Sequence, residues 1–485
     1  MNSYKKIVKT TGLIGLVQVF KLFFGFAQNK VLAVLLGPSG IGIWGLYNSF
    51  VQLVSSFSTL GMDQAGVKQI AEKGDDKTKV HKIIWVFRIT IYIVSSLFTI
   101  FVIFKSKYIS KLLFGNENYF EGIIVVSFAI FFNSVSQCQV SILNGLRDIK
   151  SIAKSQISGV VLGGVFAVVF VTFYKEKGIP FFILIVSLAT VFFSGIFLRK
   201  HKIKNVKSNF TEFRKEFYSL FSVGIGIAYS AVLVAITTYL IQVYLRRKFG
   251  LEILGIYNAS FTISNIYIGV ILSAMGVDLM PRLSKVVQNK KEVDSLLNNQ
   301  MELGVLISSL GVIIVIMFSP FILSLLYSDK FILGKEIIRW QVLGVFLRVL
   351  AFPLGYLLII KKKTVKYIIV QTTMWLGNYI LLVILVEYFG VKALGINYLL
   401  AYVLYVLILY FFTYREFKIS TLLRKVFLSS ISIILISWFL TFYVSGMYFY
   451  FFGGLLLILN IIWIINTLNK EMGINIFSFL KIKND

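Results

Sequence analysis

Cysteine is nearly absent from this chain: Cys138 is the one thiol, and it lies inside an apolar stretch. That excludes an intrachain disulfide and a cysteine-based zinc site. Its simplest role is that of a small buried hydrophobe. Histidine is almost as scarce, with His81 and His201 both beside lysines in polar stretches. A histidine metal centre or a Ser/His triad therefore has no material to build on. Acidic residues number 21 against 49 Lys and Arg, and none falls in the middle of an apolar segment. No Walker A run, Rossmann glycine pattern or HExxH motif occurs, which argues against ATP-driven or metal-assisted chemistry by this chain alone. No polar segment is long enough for a soluble catalytic domain, and no paired carboxylates stand in an outer loop, so a membrane enzyme such as a glycan polymerase is disfavoured.

What the chain has instead is apolar residue: 58% hydrophobic, 16% aromatic, mean hydropathy +0.84 over 485 residues. A polytopic membrane protein needs that much; a soluble core does not. The pattern predicts fourteen membrane helices near 8–29, 39–67, 83–104, 122–146, 155–174, 179–198, 218–245, 253–280, 303–327, 337–360, 365–386, 393–413, 426–444 and 447–468. The first is too long for a signal-peptide core and lacks a small-residue cleavage site. With the N-terminus placed in the cytoplasm, 33 of the 49 basic residues fall in inside segments, 12 in outside segments and four within helices. This asymmetry predicts cytoplasmic termini and makes the +28 formal charge a topology signal, not a nucleic-acid footprint.

The basic segment 199–217 divides the chain into an N-terminal six-helix bundle (1–198) and a second one (218–413), followed by two further helices and a tail (414–485). A weak repeat crosses that divide. Gly37-Pro-Ser-Gly-Ile-Gly42-Ile-Trp matches Gly250-Leu-Glu-Ile-Leu-Gly255-Ile-Tyr, and Gly61-Met-Asp63 matches Gly276-Val-Asp278. The matching helices are six apart, so the repeats are parallel about an axis along the membrane normal. Two similar bundles flanking a cleft are the architecture of an alternating-access carrier. Asp63 and Asp278 sit at the cytoplasmic ends of their helices, as gate residues or as plain contacts to neighbouring Lys and Arg.

The four intrahelical cations are the candidate binding residues. Lys21 lies roughly 18 Å along a helix from Lys9, and Arg348 about 20 Å from Lys361. Cations that deep are costly unless they face water or a partner. One from each bundle at similar depth would hold an anion between them, the arginine fork suiting phosphate oxygens. Arg339 lies near the outer end of its helix and Arg88 only about 9 Å from Lys82; for these, and for Lys21 and Arg348, snorkelling is the competing role. Polar stripes add to the picture. Asn48 and Gln52 on helix 2, Asn133 and Gln137 on helix 4, and Asn258 and Asn265 on helix 8 recur at helical spacing. They bond helix to helix or line a hydrophilic path that accepts sugar hydroxyls. With positive charge at mid-membrane and no acid there, the expected substrate is anionic, and carboxylate-based ion coupling has no obvious residue.

Several motifs carry a resemblance: LLGPSGIGIW after helix 1, LLFGN at Leu112 to Asn116, NGLRD at Asn144 to Asp148, MPRLSK at Met280 to Lys285, YSDKF at Tyr327 to Phe331, and WQVLG…R…GYLLI from Trp340 through Arg348. In order and spacing the chain resembles the Wzx-type O-antigen translocases. These are flippases of undecaprenyl-diphosphate-linked oligosaccharide in the multidrug/oligosaccharidyl-lipid/polysaccharide exporter superfamily. The resemblance implies an all-α polytopic membrane protein in which two pseudo-repeat bundles form a V-shaped, cationic central cavity. It implies alternating access that moves a lipid-linked sugar across the bacterial inner membrane, with no covalent chemistry and no cofactor. Lys21 and Arg348 match positions where such proteins carry basic residues. Membrane lipids, a polysaccharide polymerase and a chain-length regulator are the implied partners, and nucleic acid is not. A multidrug exporter of the same superfamily is the alternative. Two departures stand out: many members stop after twelve helices, and Val345 occupies a position that is acidic in some of them.

Overall fold

The computed structural model describes the backbone of residues 2–74, 76–203, 209–417, 435–439 and 446–470. Side chains of 2–19, 21, 225–227, 267, 274, 277, 278, 281, 415–417, 468 and 470 lie outside that description. Among the described residues the chain is all helix, without a strand. Nine stretches are long and apolar enough to cross a membrane, and two of these, Ile149–Arg199 and Thr364–Tyr414, each hold two helices. The expected helix at 426–444 falls mostly outside the described residues; 435–439 are helical.

The elements are α1 (Asn2–Thr59), α2 (Met62–Glu72), α3 (Lys77–Phe104), α4 (Ser106–Phe114), α5 (Phe120–Gly145), α6 (Ile149–Tyr174), α7 (Ile179–Arg199) and α8 (Phe210–Val286). They continue with α9 (Lys290–Leu326), α10 (Lys335–Ile360), α11 (Thr364–Phe389), α12 (Ala393–Phe417) and α13 (Gly446–Lys470). The first two expected helices run together as α1, and the seventh and eighth as α8. The apolar run Val31–Leu36 keeps the helix going where a loop was expected. Only Gly37, at φ 67° and ψ −166°, leaves helical geometry, and Gly250 does the same at φ 83° and ψ −178°. That region of backbone space is open to glycine. Pro38 then starts the next half-helix, where a missing N–H costs nothing.

The chain packs into two compact units. Unit 1 comprises Met1–Asn258 with Leu326–Phe331; unit 2 comprises Ala259–Leu325 with Ile332–Asp485. In unit 1 the two repeat junctions meet reciprocally. A Cβ on Gly42 would lie 3.1 Å from the Leu251 carbonyl carbon, and one on Gly255 would lie 2.7 Å from that of Pro38. Leu251 follows Gly250 as Pro38 follows Gly37, so the contact is a pseudo-twofold one. Beside it, Gln242 and Asn258 are both buried and exchange two hydrogen bonds, of 2.5 and 3.2 Å. The YSDKF stretch joins this unit through Asn29, which donates to the Tyr327 hydroxyl at 3.3 Å. Cys138 is buried in an apolar cluster with Met62, Phe87, Ile142 and Leu220.

In unit 1, α6 and α7 approach closely because Gly159 and Gly163 present no side chain to Thr190 and Ala189, the usual device for apposing membrane helices. In unit 2, α10 and α12 do the same through Gly344, against the Tyr398 backbone, and Gly395, against Ile337. α13 is tied to α9 by Asn460 and Ser309, which hydrogen-bond each other at 3.1–3.2 Å.

Candidate functional site

The close approach at Gly344 places the next turn of α10, at Arg348, against the tyrosine face of α12. Arg348 is half-buried. Its Nη1 donates to Asn265 Oδ1 at 3.5 Å, and the same oxygen accepts the Tyr398 hydroxyl at 2.9 Å. Below the guanidinium lies a cavity of about 260 Å³, lined among others by Phe352, Tyr356, Gln371, Trp375, Tyr402 and Tyr405. Trp375 Nε1 donates to Gln371 Oε1, and Gln371 Nε2 to the Tyr405 hydroxyl, each at 3.2 Å. These bonds hold the aromatic wall in place. Among the described residues no carboxylate lines this cavity and none pairs with Arg348. The site thus joins an uncompensated cation to flat aromatic faces and amides, a combination suited to an anion carrying a ring-shaped polar group.

Unit 1 has a cavity of about 240 Å³ in the matching place, between α2, α5, α6 and α7. Adding 215 to the residue numbers Asn133, Ser136, Gln137, Val140 and Ser141 gives Arg348, Ala351, Phe352, Gly355 and Tyr356, which line the unit 2 cavity. The same shift carries Gln156 to Gln371, Val160 to Trp375 and Thr190 to Tyr405. It also carries α5 onto α10 and α6 onto α11 end for end, and Asp63 onto Asp278. The repeat therefore runs far beyond the two glycine motifs, with different residues at most of the lining positions. The unit 2 cavity carries Arg348; the unit 1 cavity carries Asp63.

The other expected residues are placed as follows. The side chains of Lys21 and Asp278 lie outside the described residues. Arg339 pairs with Glu336 at 3.6 Å and sits over the Phe449 ring at 4.9 Å, away from the Arg348 cavity. Arg88 is half-buried and, like Asp63, close enough to Cys138 to act on it electrostatically. Asn48 donates to the Trp44 carbonyl in its own helix, and Gln52 is exposed. Asn133 and Gln137 line the unit 1 cavity, Asn258 is consumed by Gln242, and Asn265 braces Arg348. Sequence reasoning missed Gln371, Trp375, Tyr402 and Tyr405. The Gln371/Trp375 spacing of four and the tyrosines of α12 were the available signal, hidden in an already aromatic sequence.

A profile of the polysaccharide biosynthesis protein family matches residues 7–287, more than half of the chain. The chain belongs to that family. Lipid III flippases of Escherichia coli (strain K12) and Shigella flexneri are each 21% identical to this family member over 356 residues, 73% of its chain and 85% of theirs. Among solved structures, the lipid II flippase MurJ in an inward closed conformation superposes with a TM-score of 0.71 at 15% identity, covering 94% of this chain and 98% of that one. An inward-facing multidrug resistance MATE transporter of the MOP superfamily gives 0.71 at 16% identity, covering 83% and 98%. At such identities the likeness establishes the fold, that of the MOP-superfamily transporters, and makes this a multi-pass membrane protein. The resemblance read from the motifs is borne out. These relatives are flippases and transporters, not catalysts.

Proposed function

We propose that the protein is a flippase for a polyprenyl-diphosphate-linked oligosaccharide, carrying it by alternating access from the cytoplasmic to the outer leaflet of the bacterial inner membrane. Arg348 is the observation that carries this reading. It is a mid-membrane cation with no carboxylate partner among the described residues, above a cavity walled by aromatics and amides. A lone buried charge is retained at a cost of about 2.5–3.5 kcal/mol on the insertion scale, so it reads as functional. The diphosphate is assigned to Arg348 together with Lys21, the first sugar to the Trp375–Gln371–Tyr405 wall, and the polyprenyl tail to the lipid. A bacterial O-antigen repeat unit fits this chemistry. The lipid III flippase relatives support a lipid-linked cargo. A cationic drug would meet the wrong charge at Arg348, so nothing in the site favours drug export.

Complementation of a deletion strain tests the assignment. Surface-glycan export should fall at least tenfold with Lys21→Ala plus Arg348→Ala at unchanged protein level. Full export by the double variant would remove the site.

A further inference from the structure

We infer that two basic segments of unit 2, 282–291 and 361–366, together form a docking surface for the phosphate headgroups of an anionic lipid bilayer. The first carries Arg282, Lys285, Lys290 and Lys291, and the second Lys361, Lys362, Lys363 and Lys366, with no Asp or Glu in either. The fold brings the two together, since the Lys361 ammonium donates to the Val287 carbonyl. Lys361 and Lys366 are half-buried and the other six are exposed. Apolar side chains stand open beside them, Met280 at 44% exposure and Val365 at 71%. Cations mixed with exposed apolar groups suit the headgroup layer of a bilayer, where phosphates take the charge and the apolar parts enter the acyl boundary.

The repeat separates this charge from a topology signal. The shift that relates the two cavities maps the segments onto 67–76 and 146–151 of unit 1. There Lys68, Lys73, Arg147 and Lys150 are matched by Glu72, Asp75, Asp76 and Asp148. Lys68 lies 3.9 Å from Glu72, and Asp148 is engaged by Ser151 and His201. The backbone of the second segment is nevertheless shared. Arg147 and Lys362 both have positive φ, 59° and 56°, and the Asp148 and Lys363 amides close the turn on Leu143 and Leu358, each at 2.9 Å. Orientation in a membrane asks for basic residues on one side and is indifferent to acids, so it explains neither the doubled number in unit 2 nor the loss of every acid. At Lys363 the exchange even opposes the fold. Asp148 caps α6, whereas Lys363 precedes α11 without a capping bond and sets a cation at the positive end of the helix dipole. Glu292 and Asp294 follow the first segment, but Asp294 is buried and Glu292 accepts from Asn289, so the face stays strongly positive. Clusters of four to eight Lys and Arg beside a membrane helix recognise anionic headgroups. Ile359 and Tyr367, which flank the second segment, line the Arg348 cavity, so bound headgroups gather at its rim. That placement bears on the proposed flippase; the binding itself does not depend on it.

The test uses the full chain, purified in a neutral detergent, mixed with phosphatidylglycerol or phosphatidylcholine and read by native mass spectrometry for retained lipid. The wild type should bind phosphatidylglycerol about tenfold more tightly or better, and raising the salt concentration should narrow that preference. A variant combining Lys290→Gln, Lys291→Gln, Lys362→Gln and Lys363→Gln should lose most of it. The control removes the same charge from unit 1 with Lys68→Gln, Lys73→Gln, Arg147→Gln and Lys150→Gln, and should keep the preference within about twofold. All eight positions are exposed, so both variants should fold. Inorganic phosphate at constant ionic strength should leave the lipid in place; this arm and the salt series need only the wild type. No preference in the wild type, an undiminished one in the unit 2 variant, an equal loss in the control, or displacement by inorganic phosphate overturns the proposal.

Discussion

Gly255→Ala should be among the most damaging single-methyl additions in this chain. The new Cβ would lie 2.7 Å from the Pro38 carbonyl carbon and 3.0 Å from the Gly42 nitrogen. Both are backbone atoms, so no side chain can swing away. Ordinary contact begins at 3.4 Å, so the two junctions must part by at least about 0.7 Å. Overpacking of this kind costs about 1–3 kcal/mol, and the upper end applies where backbone must move. Gly42→Ala meets Leu251 across the same interface and should cost a similar amount. Once the junctions have parted for one methyl, the second finds room. The double variant should therefore lose clearly less than the sum of the singles. Gly377→Ala is the control. It lies within α11 with nothing inside 4 Å of the added Cβ, and should be neutral or stabilising by up to about 1 kcal/mol. Thermal unfolding of the purified proteins reads all four. A Gly255→Ala protein that unfolds with the wild type, or a double variant whose loss equals the sum, would show that the reciprocal packing does not exist.

Two further outcomes follow from buried polar groups. Asn258→Leu strands the Gln242 amide in a buried setting and should cost about 1–3 kcal/mol, visible as a lowered unfolding temperature that Gln242→Leu in the same chain partly restores. Asp148, at the start of α6, is raised by partial burial, but hydrogen bonds from the Ser151 side chain and backbone and from His201 outweigh that and hold its carboxyl below the usual range. A depressed carboxyl contributes stability above its unfolded value near pH 3.9 and loses it as pH falls through the lower folded value. Asp148→Ala should therefore cost about 0.5–2 kcal/mol at neutral pH, and the gap to wild type should close only in strong acid, as unfolding curves across pH would show. A gap that already closes between neutrality and pH 5 would contradict that assignment.

Helix positions were legible in the sequence because long apolar runs have few other uses in a chain this poor in charge. The repeat was legible at Gly37 and Gly250, where backbone geometry demands glycine, and at Gly61-Met-Asp63 and Gly276-Val-Asp278. Across the cavities the shared architecture had become invisible: Asn133 stands for Arg348, Gln137 for Phe352, Val160 for Trp375 and Thr190 for Tyr405. Gln156 and Gln371, and Asp63 and Asp278, keep the same residue. Backbone packing tolerates any side chain that fits, so register survived while chemistry diverged. Arg348 could be singled out because a charge inside a membrane helix is conspicuous. Its aromatic neighbours could not, since tyrosine and phenylalanine occur throughout and their convergence depends on how tightly α10 and α12 approach at Gly344. Asp63 drew attention as half of a repeated pair at the end of its helix. That it lines a polar cavity depends on the packing of α5, α6 and α7 around it.

The central claim is that Arg348 binds the anionic head of the cargo. Binding of a polyprenyl diphosphate carrying one sugar, compared with the uncharged polyprenol, to the nanodisc-embedded protein tests it most directly. The wild type should prefer the diphosphate, Arg348→Lys should keep part of that preference, and Arg348→Ala should lose at least tenfold in diphosphate affinity with polyprenol binding unchanged. Equal diphosphate affinity in wild type and Arg348→Ala would contradict the claim.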